Sequence, residues 1–166
     1  MEDQKTLPKV LSPVKSPKRI NLPDERESTT HKFTIIGGWK EIIEKDGKFI
    51  EQVVDVDGYV TAGFYPDGKL GEIFLSIGKQ GGPWKVYDML MIAVSVGLQY
   101  GIPLQVFLDK FEHQRFEPAG ITKNPNIGIA KSIPDYLARW LKKFLPISED
   151  EDGSSGFSEG DTGGQG

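Results

Sequence analysis

The chain has 166 residues, of which 37% are hydrophobic and 10% aromatic, enough for one hydrophobic core but not for two domains. Its 24 acidic residues outnumber 20 basic ones, and the net charge of -4 argues against binding of nucleic acid through bulk charge. The count of zero cysteines excludes disulfides, thiolate metal sites and thiol chemistry carried by these residues.

Charge is concentrated at both ends of the chain. Residues 1–20 carry five basic residues against two acids, with three prolines, and residues 148–166 carry six acids and no base. Such segments bury too little apolar surface to fold, so we predict two disordered tails around a folded domain at 21–147. The first residues lack the apolar core of a secretory signal, and the longest apolar run, 89–98, is too short to span a bilayer. The sequence therefore predicts a cytoplasmic protein without a membrane segment.

The first half of the domain predicts an antiparallel sheet built from hairpins. Strands enriched in β-branched and aromatic residues are predicted over 30–36, 39–44, 49–56, 59–64 and 71–77. We expect the first of them to end at Gly37 and Gly38. An Asp-Gly pair at 46–47 and a Pro-Asp-Gly run at 66–68 are typical of hairpin turns.

The second half predicts three helices, over 84–100, 103–114 and 132–145. The first is apolar nearly all round, which predicts burial on most of its faces. Ser132 followed three residues later by Asp135 is typical of a capped helix start. Strands followed by helices indicate an α+β fold, in which an antiparallel sheet of about four to five strands carries three helices packed on one face.

Candidate functional residues cluster in the segment between the last two helices. Residues 113–126 hold one of the two histidines, one of the four arginines, two prolines and a glycine, which indicates a shaped loop able to bind an anion or a nucleotide. In the alternative interpretation, Arg115 and Glu117 form an internal ion pair and the loop only holds the helices together. The candidates for binding a ligand or partner are His31, Lys32, His113, Arg115, Glu117, Asn124 and Lys131. No catalytic residue and no metal ligand set is predicted.

Several separated motifs, in order along the chain, are similar to one known family. They include KFEHQRFEPAG at 110–120 and KSIPDYLARWL at 131–141, together with 22–33, 58–63, 67–74 and 98–103. Over roughly residues 19–145 the sequence resembles the TSCPD domain, found near the C-terminus of adenosylcobalamin-dependent (class II) ribonucleotide reductases. We expect this chain to be such a domain in the form of a stand-alone small protein.

The resemblance implies an association with deoxyribonucleotide synthesis but not the parent chemistry. The parent enzymes use a cysteine that becomes a thiyl radical and cysteine pairs that deliver electrons, and none of these can be carried over to a sequence without cysteine. We therefore expect no bound cofactor, although the family enzyme uses adenosylcobalamin. The expected role is a non-catalytic accessory module that docks on a separate catalytic chain.

The sequence departs from the family pattern between its first strands. Residues 39–57 are interpreted as an inserted hairpin that changes a surface and leaves the core intact. Trp39 and Phe49 are its candidate contact residues. Two alternatives to the accessory module stay open. One is a stand-alone interaction or inhibitor protein that uses this hairpin, and the other is a nucleotide- or small-ligand-binding domain centred on 113–126.

Overall fold

The structure is a computed structural model, and it describes residues 17–78 and 84–145. Its strands are β1 (Ser28–Lys45), β2 (Lys48–Phe64), β3 (Leu70–Ile77), β4 (Gly120–Thr122) and β5 (Ile129–Ala130). Its helices are α1 (Trp84–Gln99), α2 (Leu104–Phe111) and α3 (Ile133–Leu141), with a final 3-10 turn at Lys142–Phe144. The predicted tail at 148–166 and residues 1–16 of the predicted tail at 1–20 lie outside the described residues.

The strands form one antiparallel sheet in the order β3-β2-β1-β4-β5. Strand residues that alternate along β1, β2 and β3 turn inward against the helices, where Phe33, Val60 and Ile73 are buried. They meet Met91 of α1 and Leu137 of α3 in a single hydrophobic core. The predicted α+β class, with the three helices on one face of the sheet, is confirmed.

The first hairpin is longer and simpler than the sequence predicts. The four strands expected between residues 30 and 64 are two continuous strands, so 39–57 is the far part of the same β1–β2 ladder and not a separate hairpin. Gly37 and Gly38 do not end β1. They lie in a bulge where the register shifts between Ile35 and Trp39, with Gly37 at a φ of 59° and its N–H donated to the Asp55 carboxylate at 2.9 Å.

Both predicted hairpin turns are confirmed. Asp46 and Gly47 have φ angles of 52° and 72°, and a positive φ at both central residues is what a two-residue turn between twisted strands requires. In the second turn, Gly68 has a φ of 84°, and its N–H donates to the Tyr65 carbonyl at 2.9 Å. Local turn chemistry therefore sets the ends of these strands.

The helices differ from prediction in burial and length. Helix α1 begins and ends nearly where predicted, but its exposed side includes Val86, Met89 and Ile92, so the expected burial on most faces is wrong. Helix α2 ends at Phe111, three residues before the predicted end. The chain leaves it through His113, whose φ of 68° cannot continue a helix.

The start of the described chain packs on the domain. The N–H of Ile20 donates to the Gln99 carbonyl at 2.9 Å, and the guanidinium of Arg19 donates to the Gln99 side chain at 2.7 Å. The hydroxyl of Tyr65 donates to the Ile20 carbonyl at 2.6 Å. Residues 19 and 20, which sequence composition groups with the basic tail, are thereby joined to the end of α1.

Gly58 allows the close contact between β2 and the aromatic core. A Cβ atom at this position would lie 2.5 Å from Cζ of Phe33. We expect Gly58→Ala to lower the free energy of unfolding by about 1 to 3 kcal/mol, because a fully buried ring has no room to move away. Denaturant unfolding measures the change. Gly78→Ala is the matched control, since its Cβ would meet only an ordinary contact at 3.6 Å, and equal losses for the two variants would contradict this explanation.

Candidate functional site

The buried carboxylate of Asp135, in the first turn of α3, organises the loop that holds most candidate residues. It accepts the backbone N–H of His113 at 2.8 Å and that of Lys131 at 2.9 Å. It also pairs with the Arg139 guanidinium at 2.7 Å. One side chain thus ties both ends of the 113–131 segment to α3.

The charge of Asp135 is favoured by its surroundings. Burial alone would raise the pKa of this carboxyl, but the N–H donors of Lys131 and His113, together with the Arg139 cation, hold its pKa below the usual range. Ser132 caps the same helix, because its hydroxyl accepts the Asp135 N–H at 3.1 Å, which confirms the predicted cap. Asp135, which the sequence indicates as part of a helix start, therefore also holds the 113–131 segment to α3.

A second cluster joins α3 to β1. The Asn124 amide donates to the Tyr136 hydroxyl at 3.0 Å, and the same hydroxyl lies 2.7 Å from Nε2 of His31. With the imidazole proton of neutral His31 on Nδ1, the Tyr136 hydroxyl donates to Nε2 while it accepts from Asn124. The ring of His31 stacks on Trp140, with centroids 5.1 Å apart. Burial, and secondarily the positive charge of Lys143, lower the pKa of His31.

Three of the seven candidate residues meet at one cavity, which we call the His31 pocket. It has a volume of about 350 Å³ and lies between β1 and the turn that follows β4. Its lining comprises His31, Lys32, Phe33, Thr34, Lys123, Asn124, Pro125 and Tyr136. The two lysines, the imidazole and the amide make this a polar, cationic pocket with an aromatic floor.

Two other candidates lie together outside this pocket. Nδ1 of His113 is 3.4 Å from Nζ of Lys131, on the exposed side of the segment that Asp135 holds. Nε2 of His113 is 3.9 Å from Glu112, whose carboxylate is also bound by Lys142 at 2.7 Å. This group forms a small network on the surface.

The remaining candidates do not converge with the others. Arg115 and Glu117 are exposed, and the ion pair predicted between them is not formed in the described part of the chain. Trp39 is half-buried and packs edge-to-face on Trp84 with centroids 5.0 Å apart, so it anchors the far part of the first hairpin. Phe49, near the tip, is 79% exposed.

Sequence reasoning missed two residues that line the His31 pocket, Tyr136 and Lys123, because neither is among the candidate residues proposed from the sequence. The spacing of Asp135 and Tyr136 contains no signal for their distant partners, because His31 is 105 positions away from Tyr136 along the chain. Among residues 17–78 and 84–145, no group of three or more acidic or histidine side chains could hold a metal ion, and no helix is long and apolar enough to cross a membrane.

Comparison with known proteins identifies the family. The model of the TSCPD domain matches residues 17–145, and the chain belongs to this family. Proteins named vitamin B12-dependent ribonucleotide reductase are similar over the same region. That of Rhodopirellula baltica is 43% identical over 129 residues, which are 77% of this chain and 11% of the relative.

Other relatives share this pattern of coverage. The reductase of Streptantibioticus cattleyicolor is 43% identical over 133 residues, which are 79% of this chain and 19% of the relative. The reductase of Bradyrhizobium diazoefficiens is 39% identical over 125 residues, which are 74% of this chain and 8% of the relative. The chain thus spans less than a fifth of the length of these relatives. No solved structure is significantly similar.

Replacement of Asp135 tests the organising role of its carboxylate. We expect Asp135→Asn to lower the free energy of unfolding by about 3 kcal/mol, because the amide lacks the charge and turns an N–H toward a donor. Chemical denaturation measures the loss. Asp109→Asn, at an exposed carboxylate on α2 that only accepts from Gln105, should change stability by no more than about 0.5 kcal/mol. Similar losses in both variants would refute the assignment.

The lowered pKa of His31 predicts a pH dependence of stability. The unfolded chain takes up this proton near the ordinary pKa of about 6.5, and the folded chain does so only at lower pH. The free energy of unfolding should therefore fall as pH drops from about 7 toward the folded pKa, because the unfolded state binds more protons there. His31→Gln should reduce this slope in denaturant titrations at several pH values. His113→Gln removes the other histidine, and an equal effect of the two variants would contradict the assignment to His31.

Proposed function

We propose that this protein is a non-catalytic accessory module of a vitamin B12-dependent ribonucleotide reductase, acting in deoxyribonucleotide synthesis by docking on a separate catalytic chain. The supporting observation is that reductases 43% identical to it contain the matching region as 11–19% of their length. A domain of this kind has the remainder of a reductase as its natural neighbour. The proposal assigns to this chain an assembly or positioning role beside that neighbour.

The composition supports a role outside the chemical step. The 166 residues include no cysteine, so they can supply neither a thiyl radical nor a dithiol that exchanges with a disulfide. Two polar side chains of α3, those of Asp135 and Tyr136, are engaged in holding the fold. Reduction of a ribonucleotide would therefore depend on the partner chain.

Helix α1 supplies the surface best suited to docking. On the side facing away from the sheet, Val86, Met89 and Ile92 are 64%, 68% and 54% exposed. These positions lie on neighbouring turns of the helix and form an apolar stripe. A row of large exposed apolar side chains on one helix face is typical of a protein–protein contact.

The charged residues within α1 are Lys85 and Asp88, and they compensate each other. Lys85 pairs with Asp88 at 2.9 Å, one turn apart on the same helix. Burial of the stripe against a partner would therefore leave no isolated charge without water, which is the main cost of closing an interface. Met89 adds an adaptable side chain at its centre.

The far part of the first hairpin is a second candidate contact surface, which would serve an interaction protein with another partner. Phe49 and Ile42 are 79% and 76% exposed there, where β1 and β2 pair only with each other within the described chain. A two-stranded ribbon gains little stability by itself, so exposed apolar residues on it favour a bound state. The two candidate surfaces can be separated by substitution.

Capture by the catalytic chain of a vitamin B12-dependent reductase from the same organism tests the proposal. We expect the full chain to bind it, and Met89→Glu to weaken binding about ten-fold or more, because a carboxylate would be buried in an apolar contact. Val106→Glu, at an apolar position on α2 that is 47% exposed, should bind as the parent does. Calorimetry or biolayer interferometry measures the affinity.

The outcomes discriminate between the two surfaces. Loss of capture in Phe49→Glu with no effect of Met89→Glu would assign docking to the hairpin instead of α1. Absence of capture of the parent chain at micromolar concentrations would overturn the reductase partnership itself. A circular dichroism melt of each variant ensures that a lost interaction does not reflect a lost fold.

A further inference from the structure

In the described part of the chain, the sheet has a gap beside the first part of β1. Strand β4 pairs with β1 only at Ile35 and Ile36, and the N–H of Lys123 donates to the Thr34 carbonyl at 3.3 Å. The chain then turns away at Asn124, whose carbonyl accepts from two residues of the turn. Residues 28–33 of β1 therefore have a strand neighbour, β2, on one side only within the described chain.

The backbone at this gap presents unused hydrogen-bonding groups. In an antiparallel ladder the N–H and C=O groups of alternate residues point to the same edge. Because the Thr34 carbonyl points toward the β4 side, the backbone groups of Lys32 and Thr30 point toward the open edge. No backbone hydrogen bond from the described residues reaches them on that side. An unpaired strand edge is a template for another strand.

The His31 pocket is the space that such a strand would enter. Its 350 Å³ lie along residues 31–34 of β1, and Tyr136 of α3 lies beneath it. Asn124 and Pro125 close the end where β4 stops. The cavity thus continues the line of β4 along β1, at the position where the next strand of the sheet would run.

The charges around this edge favour an acidic occupant. Lys32 and Lys123 both line the pocket and are exposed, and Lys143 lies near enough to His31 to lower its pKa. The acid on the adjoining strand, Asp57, accepts from the Thr34 hydroxyl at 2.5 Å. Carboxylates on an incoming segment would meet two lysines that have no acidic partner in the described part of the chain.

We propose that the free edge of β1 at residues 28–33 binds an extended, acidic peptide segment of a partner protein as an added strand. Its backbone pairs with Thr30 and Lys32, and its carboxylates lie near Lys32 and Lys123. Main-chain bonds supply the register, and the lysines select for acidic side chains. This site is separate from the α1 stripe, and it stands whether or not the partner is a reductase.

A blocked five-residue peptide of alternating glutamate and valine is the probe, titrated into the full chain labelled with nitrogen-15. We expect the amide signals of Thr30 and Lys32 to shift and to become protected from hydrogen exchange. The same peptide with methylated backbone nitrogens should not bind, because it cannot donate main-chain hydrogen bonds. Equal binding of the methylated peptide would show attraction by charge alone and would overturn the added strand.

Variants separate the main-chain contribution from the charge. Thr30→Pro removes the donor at the open edge and should abolish binding without breaking the ladder to β2. Lys32→Gln and Lys123→Gln should each weaken binding about two- to five-fold, which is the effect of an exposed ion pair. Lys45→Gln, at the far end of the hairpin, is the matched control and should bind as the parent does. Unchanged affinity in both pocket variants would refute the acidic preference.

Hydrogen exchange of the chain without peptide tests whether another segment already pairs with the open edge of β1. Protection of the Thr30 and Lys32 amides that grows with protein concentration would show a second copy of this chain at the edge. Protection that is independent of concentration would show an occupant from within the chain. Either result would overturn the partner-strand proposal, and fast exchange of both amides supports it. Neither result bears on capture through Met89, so failure here is distinguishable from failure of the reductase partnership.

Discussion

A single buried carboxylate, that of Asp135, holds together the half of the domain in which the chain makes its longest irregular excursion. It binds one backbone N–H at each end of the segment 113–131 and is neutralised by Arg139. A buried charge is tolerable only with this degree of hydrogen bonding. With those ends fixed to α3, two short strands can complete the sheet where the sequence alone shows a loop.

The same contacts of Asp135 determine the geometry of the candidate site. Tyr136 follows Asp135 on the helix, so fixing α3 also fixes the hydroxyl that joins His31 to Asn124. The turn containing Asn124 is thereby held beside β1 but does not extend along it. The His31 pocket and the open strand edge are two consequences of that one placement.

Several exposed apolar residues lie on the outer faces of elements whose inner faces contribute to the core. Helix α1 buries Met91 and Val94 against the sheet and leaves Met89 and Ile92 in solvent. In a single sheet with helices on one face, each helix has one buried side, and the other side is available to a partner. The chain belongs to the TSCPD family, and the reductases similar to it hold this region within much longer chains, which agrees with such a surface.

The sequence by itself determined the fold class, both hairpin turns, strand β3, the Ser132 helix cap and the family, because these depend on contacts between near neighbours or on motifs read in order. Only the tertiary structure decided that Gly37 lies in a bulge within a continuous strand, that α1 is half-exposed, and that His31, Lys32 and Asn124 share a pocket while Arg115 and Glu117 do not. These outcomes rest on pairs such as His31 and Tyr136, 105 positions apart. Periodicity and turn chemistry depend on residues that are close along the chain. They therefore carry no information about contacts between residues that only folding brings together.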